Sequence, residues 1–185
     1  MAGKKAAKKT GVAHSQISQP PTLRPKSSQP KVPQSEPGRT RHFMKLQQNH
    51  CFACGKNNAN GMRLRFTYDE ERNCFVCRFR LGKRYTGPPG HCHGGIIATI
   101  LDEAMGKVNK LRHVIALTSE ITVRYLKPVP LNQSLHVESR EVSVQGRKHI
   151  NMAEIVNDKG DVLARSQGIF IAIDAQRMFA KYVDR

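Results

Sequence analysis

The sequence predicts an α+β domain in which one long helix packs into the curve of a six-stranded antiparallel sheet. Three observations predict it. From Met62 onward, most segments alternate apolar and polar residues, as half-buried strands do. One segment, HGGIIATILDEAMGKV at 93–108, has helical spacing instead and is the most apolar in the chain. Six strands give a sheet two faces, and a single helix of that length can cover only one of them.

In chain order, MRLRFTY alternates, and NCFVCRFR repeats the habit after a DEERN turn. LGKRYTGPPG is a loop punctuated by Gly and Pro. The helix follows, with Ile97, Ile100, Leu101, Ala104 and Val108 on one face. Past LRHVIA come four β-like runs: LTSEITVRYL, SLHVESREVSV, RKHINMAEIVND and VLARSQGIFIAI. KPVPLNQ, QG and DKG turns separate them, and the terminal DAQRMFAKYVDR has the makings of a short helix. The predicted order is β-β-α-β-β-β-β.

Charge divides the chain into two parts. Overall, 31 Lys+Arg against 14 Asp+Glu give +17, which favours anionic partners. Residues 1–42 hold nine Lys/Arg against Glu36 alone, a net +8, together with six of the ten prolines. Such a stretch buries too little apolar surface to offset its ordering entropy. We therefore expect a disordered basic tail at 1–42, able to touch nucleic acid or other polyanions weakly, and one domain at 43–185. The domain keeps 22 bases against 13 acids. The tail has no apolar h-region, and no apolar run reaches membrane-spanning length. The tail is Lys-rich without an amphipathic stripe, which argues against a transit peptide despite its lack of acids. Five cysteines without an export signal point to a reducing cytoplasm.

The helix carries an acid pair, Asp102 and Glu103. Successive helical residues are about 100° apart, so the two cannot face the same way. Measured from Ile97, Asp102 lies about 140° round, beside Ala98, Met105, Gly106 and Asn109. Glu103 lies about 240° round, beside Lys107 and Lys110. An i,i+4 pair with Lys107 explains Glu103 as ordinary surface chemistry. For Asp102 the arithmetic leaves two readings: a cleft wall with a perturbed carboxyl, or a partly exposed Asp bonded to a neighbouring loop. Gly94 and Gly95 stand where the helix begins, with free N–H groups and the positive end of the dipole. They suit either the close approach of a ligand oxygen or a simple tight turn.

The stretch GPPGHCHGGIIATILDEAMG resembles the active-site helix of hotdog-fold acyl-CoA thioesterases, the PaaI-like branch especially. TSEITVRYLKPVP resembles that branch's next strand, and CFACGKNNANGMRLRF the segment leading into its domain. The likeness runs over roughly residues 48–173 and implies a hotdog fold, with dimers that join two sheets edge to edge. It also implies an acyl-CoA substrate and a thioester hydrolase; no cofactor and no site metal are expected, while zinc at Cys51 and Cys54 as a folding aid within the domain stays open. On this resemblance Asp102 is the catalytic acid, acting as general base on water or as nucleophile on the thioester carbonyl. Gly94 supplies the oxyanion N–H, His93 orients the helix start or the carbonyl, and Thr118 helps position water. Many relatives carry Asn or Gln where Gly87 and Thr86 stand here. Gly95 joins the substrate contacts, and Arg124, Lys127, Arg147 and Lys148 are candidates for the coenzyme A phosphates.

Gly94 and Asp102 are eight residues apart, about 12 Å along a helix. One carbonyl cannot lie about 3 Å from both, so catalysis demands that they come from different subunits of a homodimer or homotetramer. Two other readings remain. A non-catalytic acyl-CoA binder or a hydratase would use the same fold. More remotely, CFAC and CFVC have the spacing of a four-cysteine zinc ribbon and hence of a nucleic-acid module. NCFVCRFR reads as a strand, however, in which residues three apart point to opposite faces. The HCH triplet lacks further ligands at a telling spacing, and Cys92 reads as a small core residue rather than a nucleophile.

Overall fold

The computed structural model describes residues 49–183, so the expected disorder of 1–42 and the expected domain start at 43 lie outside the described residues. The strands are β1 (Thr67–Asp69), β2 (Cys74–Arg80), β3 (Ile115–Tyr125), β4 (Ser134–Gln145), β5 (Lys148–Asn157) and β6 (Val162–Ile173). The long helix is α1 (Gly94–Val108), and a terminal helix α2 spans Ala175–Val183. All pairings are antiparallel, in the order β1-β2-β4-β5-β6-β3. This is the predicted α+β arrangement, and it is a hotdog fold: one helix wrapped by a curved sheet. No described helix is long and apolar enough to cross a membrane.

α1 begins at His93, whose ring Nδ1 accepts the Gly95 N–H at 3.0 Å and so caps an otherwise unpaired donor. It gives way to a short 3₁₀ turn that stops at His113, in the left-handed region with φ 53°. Ile97, Ile100, Leu101, Ala104, Met105 and Val108 are all buried against the sheet. Full burial of each large aliphatic side chain is worth about 1.5–3 kcal/mol, so this stripe is what holds the helix in the curve. Polar side chains from the sheet complete the seam. Ser139 donates to the Ala104 carbonyl at 2.7 Å, and Asn151 donates to the Met105 carbonyl at 3.0 Å.

The first strand is shorter than its alternation predicts. MRLR does not join the sheet: Met62 N–H donates to the Phe52 carbonyl and Leu64 N–H to that of Ala53. Arg63, at φ 55°, breaks the extended run between them. The segment thus ties down the CFAC loop, a long-range pairing that local periodicity cannot register. Cys74 and Cys77 on β2 are both buried, Cys77 within the core, and neither stands with Cys51 and Cys54 among the described metal-capable clusters. The four-cysteine ribbon is therefore not assembled.

Candidate active site

Asp102 leaves α1 on the side facing β3, half-buried. Its Oδ1 accepts the Thr118 hydroxyl at 2.8 Å. Between Thr118 and Glu120 the β3–β6 register slips at a β-bulge, the kind of irregularity that re-aims a side chain out of a ladder. Burial raises the Asp102 carboxyl above its ordinary value; the Thr118 hydrogen bond opposes this, and the neighbouring Glu103 charge adds to it. Among the described residues no cation pairs with Asp102. Of the two readings left open by helical arithmetic, the second expected a loop as partner, but Thr118 lies on β3; the carboxyl is perturbed as a cleft acid would be.

Glu103 points elsewhere and meets Lys107 in the expected i,i+4 ion pair. It is not ordinary surface chemistry, however, because both side chains are only 16% exposed beneath the CFAC loop. Burial pushes Glu103 up, but the Lys107 charge and hydrogen bonds from Cys54, Lys107 and Cys51 outweigh it and hold the carboxyl below its usual value. The sequence carries no local sign of this, since the loop arrives from about fifty residues away.

At the helix start, the Gly94 N–H has no hydrogen-bond partner among the described residues, whereas the Gly95 N–H is taken by His93. Tyr125, absent from the sequence reading, donates its hydroxyl to the Gly94 carbonyl at 3.1 Å. Its one sign in the sequence is its place near the end of TSEITVRYL, the strand that follows the helix. Gly87 lies so close to His93 that an added Cβ would stand 2.7 Å from the His93 Cα, so no side chain fits there without a shift. His91 bonds the Pro89 carbonyl through Nδ1 at 2.9 Å. Cys92 is buried, with its thiol pushed up to about 11 by that burial, as a small core residue would be.

The four candidate phosphate contacts fall at two ends of the sheet. Arg124 pairs in register with Arg165, and Lys127 bonds Asp161 at 2.8 Å. Lys148 pairs with Ile171, and Arg147 Nε donates to the Ala172 carbonyl at 2.9 Å. Six residues of β6 separate the two groups, about 20 Å of strand. Within one chain they do not converge. The first group lies beside the Gly94 end of the helix, and the second lies toward the Asp102 end.

Residues 89–164 match the family model of the thioesterase superfamily. That match covers the helix, Thr118 and most of the sheet, and the resemblance read from the motifs stands with it. Over these residues the chain matches the thioesterase superfamily, and the fold they share is the hotdog fold. The acyl-coenzyme A thioesterase THEM4 of Xenopus laevis is 30% identical over 107 residues, 57% of this chain and 48% of that protein. The chain therefore spans about half the length of the curated relatives it matches. A thioesterase superfamily protein of known crystal structure is 29% identical with a TM-score of 0.63, covering 66% of this chain and 60% of that one. The E. coli PaaI protein is 18% identical with a TM-score of 0.59, covering 74% of this chain and 93% of its own, and speaks for the fold alone. A mitochondrial membrane protein of Saccharomyces cerevisiae is 28% identical over 101 residues, 52% of this chain and 41% of its own.

Proposed function

We propose that the protein is an acyl-CoA thioesterase, hydrolysing an acyl-coenzyme A to free acid and CoA in a site shared by two subunits. The observation that carries the reading is Asp102: a half-buried carboxylate with no cationic partner among the described residues, aimed by the Thr118 hydroxyl. As general base it removes a proton from water while the oxygen attacks the thioester carbonyl. The oxyanion forms against the unpartnered Gly94 N–H at the positive end of the helix dipole. Collapse then breaks the C–S bond, and the CoA thiolate leaves to take up a proton. Direct attack by Asp102 would give an acyl anhydride that water then opens.

The dimer supplies the geometry. β3 is an outer strand of eleven residues, with Leu117, Tyr125 and the adjoining Leu126 exposed. So long an unpaired edge is an invitation to pair. Antiparallel pairing of two copies about Ile121 and Thr122 would set Thr118 of one chain opposite Tyr125 of the other. Asp102 of one copy and Gly94 of the other then flank one thioester. The same register brings the Arg147 and Lys148 end of one chain to the Arg124 and Lys127 end of its mate. Cations that are separated within a chain become a shared phosphate contact, and His93 keeps its part as the cap that fixes the helix start. Gly95, its N–H spent on that cap, contributes only close approach.

We assign the protein to the cytoplasm on its unpaired cysteines, against a mitochondrial location like that named for the yeast relative; fractionation of tagged full-length protein distinguishes the two. A thiol-release screen over short, long and aryl acyl-CoAs tests the activity. Light scattering tests the dimer: an active monomer would refute the shared site.

A further inference from the structure

The acid that catalysis leaves unused heads a second constellation. Cys51 Sγ, Cys54 Sγ and a Glu103 carboxylate oxygen all lie within 4.8 Å of one another. We propose that these three residues bind a divalent transition metal, zinc by the chemistry of the ligand set, and that the metal pins the loop at 51–64 to the outer face of α1.

Four features carry the inference. First, two cysteines separated by two residues form the knuckle that structural zinc sites use. Here the knuckle is held rigid: Gly55 N–H donates to the Cys51 carbonyl at 2.8 Å, and Cys51 N–H donates to Asn49 Oδ1 at 3.1 Å. The turn is so tight that a Cβ on Gly55 would stand 2.4 Å from the Cys51 oxygen. Second, the distances suit the ion. Cys51 Sγ is 3.6 Å from Glu103 Oε2. Tetrahedral zinc at its usual bond lengths separates its sulfur and oxygen ligands by about 3.5 Å and two sulfurs by about 3.8 Å. Third, Glu103 divides its oxygens, with Oε1 on Lys107 and Oε2 toward Cys51, so a metal can take Oε2 without dismissing the lysine. Fourth, the charges close. Two thiolates and one carboxylate carry three negative charges; a dication and Lys107, whose Nζ is 3.1 Å from Cys54 Sγ, cancel them. Exposed Cys51 gives the ion a way in, and water fills the fourth position.

Cobalt(II) added to the full-length, chelator-stripped protein tests the proposal, because a thiolate–cobalt charge-transfer band reports sulfur ligation whether or not the enzyme is active. We expect one cobalt per chain with that band, displaced by zinc. Cys51→Ser and Cys54→Ser should each weaken binding more than about tenfold, and Glu103→Gln by about tenfold while leaving the band's thiolate character. Cys74→Ala should leave the band unchanged. Circular dichroism identifies any variant that fails to fold, and Glu103→Gln keeps the test open if a cysteine variant does. Absence of the band, or equal affinity in folded Glu103→Gln, overturns the site.

Discussion

Asp102 and Glu103 are adjacent in sequence and differ by one methylene, yet the fold gives them opposite environments. Asp102 faces the open edge of the sheet, accepts one hydroxyl, and is raised by burial without a compensating cation. Glu103 faces the CFAC loop, where Lys107 and two thiols more than offset an even deeper burial. One helical step of about 100° separates a carboxyl raised by burial from one held down by its partners. On the proposed mechanism, what fits Asp102 for its task is not its place in a buried helix but the lack of the partner that its neighbour has.

That contrast breaks most visibly at Asp102. Asp102→Asn should lower kcat by about 10²- to 10⁴-fold, the usual share of a general base. Its stability should move the other way. A carboxyl whose folded pKa is raised destabilises the fold at pH above that pKa, and the penalty fades as pH falls toward the ordinary carboxylate value. The variant should therefore melt no lower than the parent at neutral pH, and the two curves should converge in acid. Differential scanning calorimetry across pH reads this directly.

Glu103→Gln should do the reverse. In chelator-treated protein it strands the half-buried Lys107, at a cost of about 2 kcal/mol, and turnover should fall less than about tenfold. Because Glu103 is lowered in the fold, its contribution is full above the ordinary carboxylate value and is lost as pH falls through the folded pKa. The deficit of the variant should therefore shrink in acid. Equal losses of turnover at the two positions would undo the distinction between the two faces.

Thr118→Ala sharpens the account on the Asp102 side. Losing the hydroxyl removes the one bond that holds the carboxylate down, so its pKa rises further and the acid limb of the kcat profile moves to higher pH. Turnover at neutral pH should fall about tenfold, and Thr118→Ser should restore most of it. A merely structural threonine would leave the limb where it is. The smallest effect is expected from deleting residues 1–42, which should leave kcat unchanged. Any rise in KM should be modest at low salt and vanish as salt screens the basic tail's field. A salt-independent fall in kcat would mean that the tail reaches the site.

The two faces were legible in the sequence because helical periodicity is local. Spacing alone separated Asp102 from Glu103, found Lys107, and assigned five of the six apolar residues that the sheet buries; Met105, which spacing set beside Asp102, is buried as well. What lay over those faces was not legible. The CFAC loop reaches Glu103 through backbone bonds to 62–64, and the same bonds deprive β1 of its expected beginning. Tyr125 and the split of the four cations into two ends depend on the β3–β6 and β5–β6 registers, which no single strand's alternation contains. His93 was expected to orient the helix start or the carbonyl. Its ring accepts the Gly95 N–H, a cap that residue spacing alone does not contain.

The most direct test measures binding and cleavage together. Acyl-CoAs of graded chain length are offered to the parent and to Asp102→Asn, with equilibrium affinity and the appearance of free CoA thiol followed on the same samples. The parent should release one thiol per ester consumed. The variant should bind the preferred ester with an affinity close to the parent's and release thiol at least about a hundredfold more slowly. A parent that binds every ester without releasing thiol, or a variant that cleaves as fast as the parent, would contradict the assignment of Asp102 as the acid that performs thioester hydrolysis.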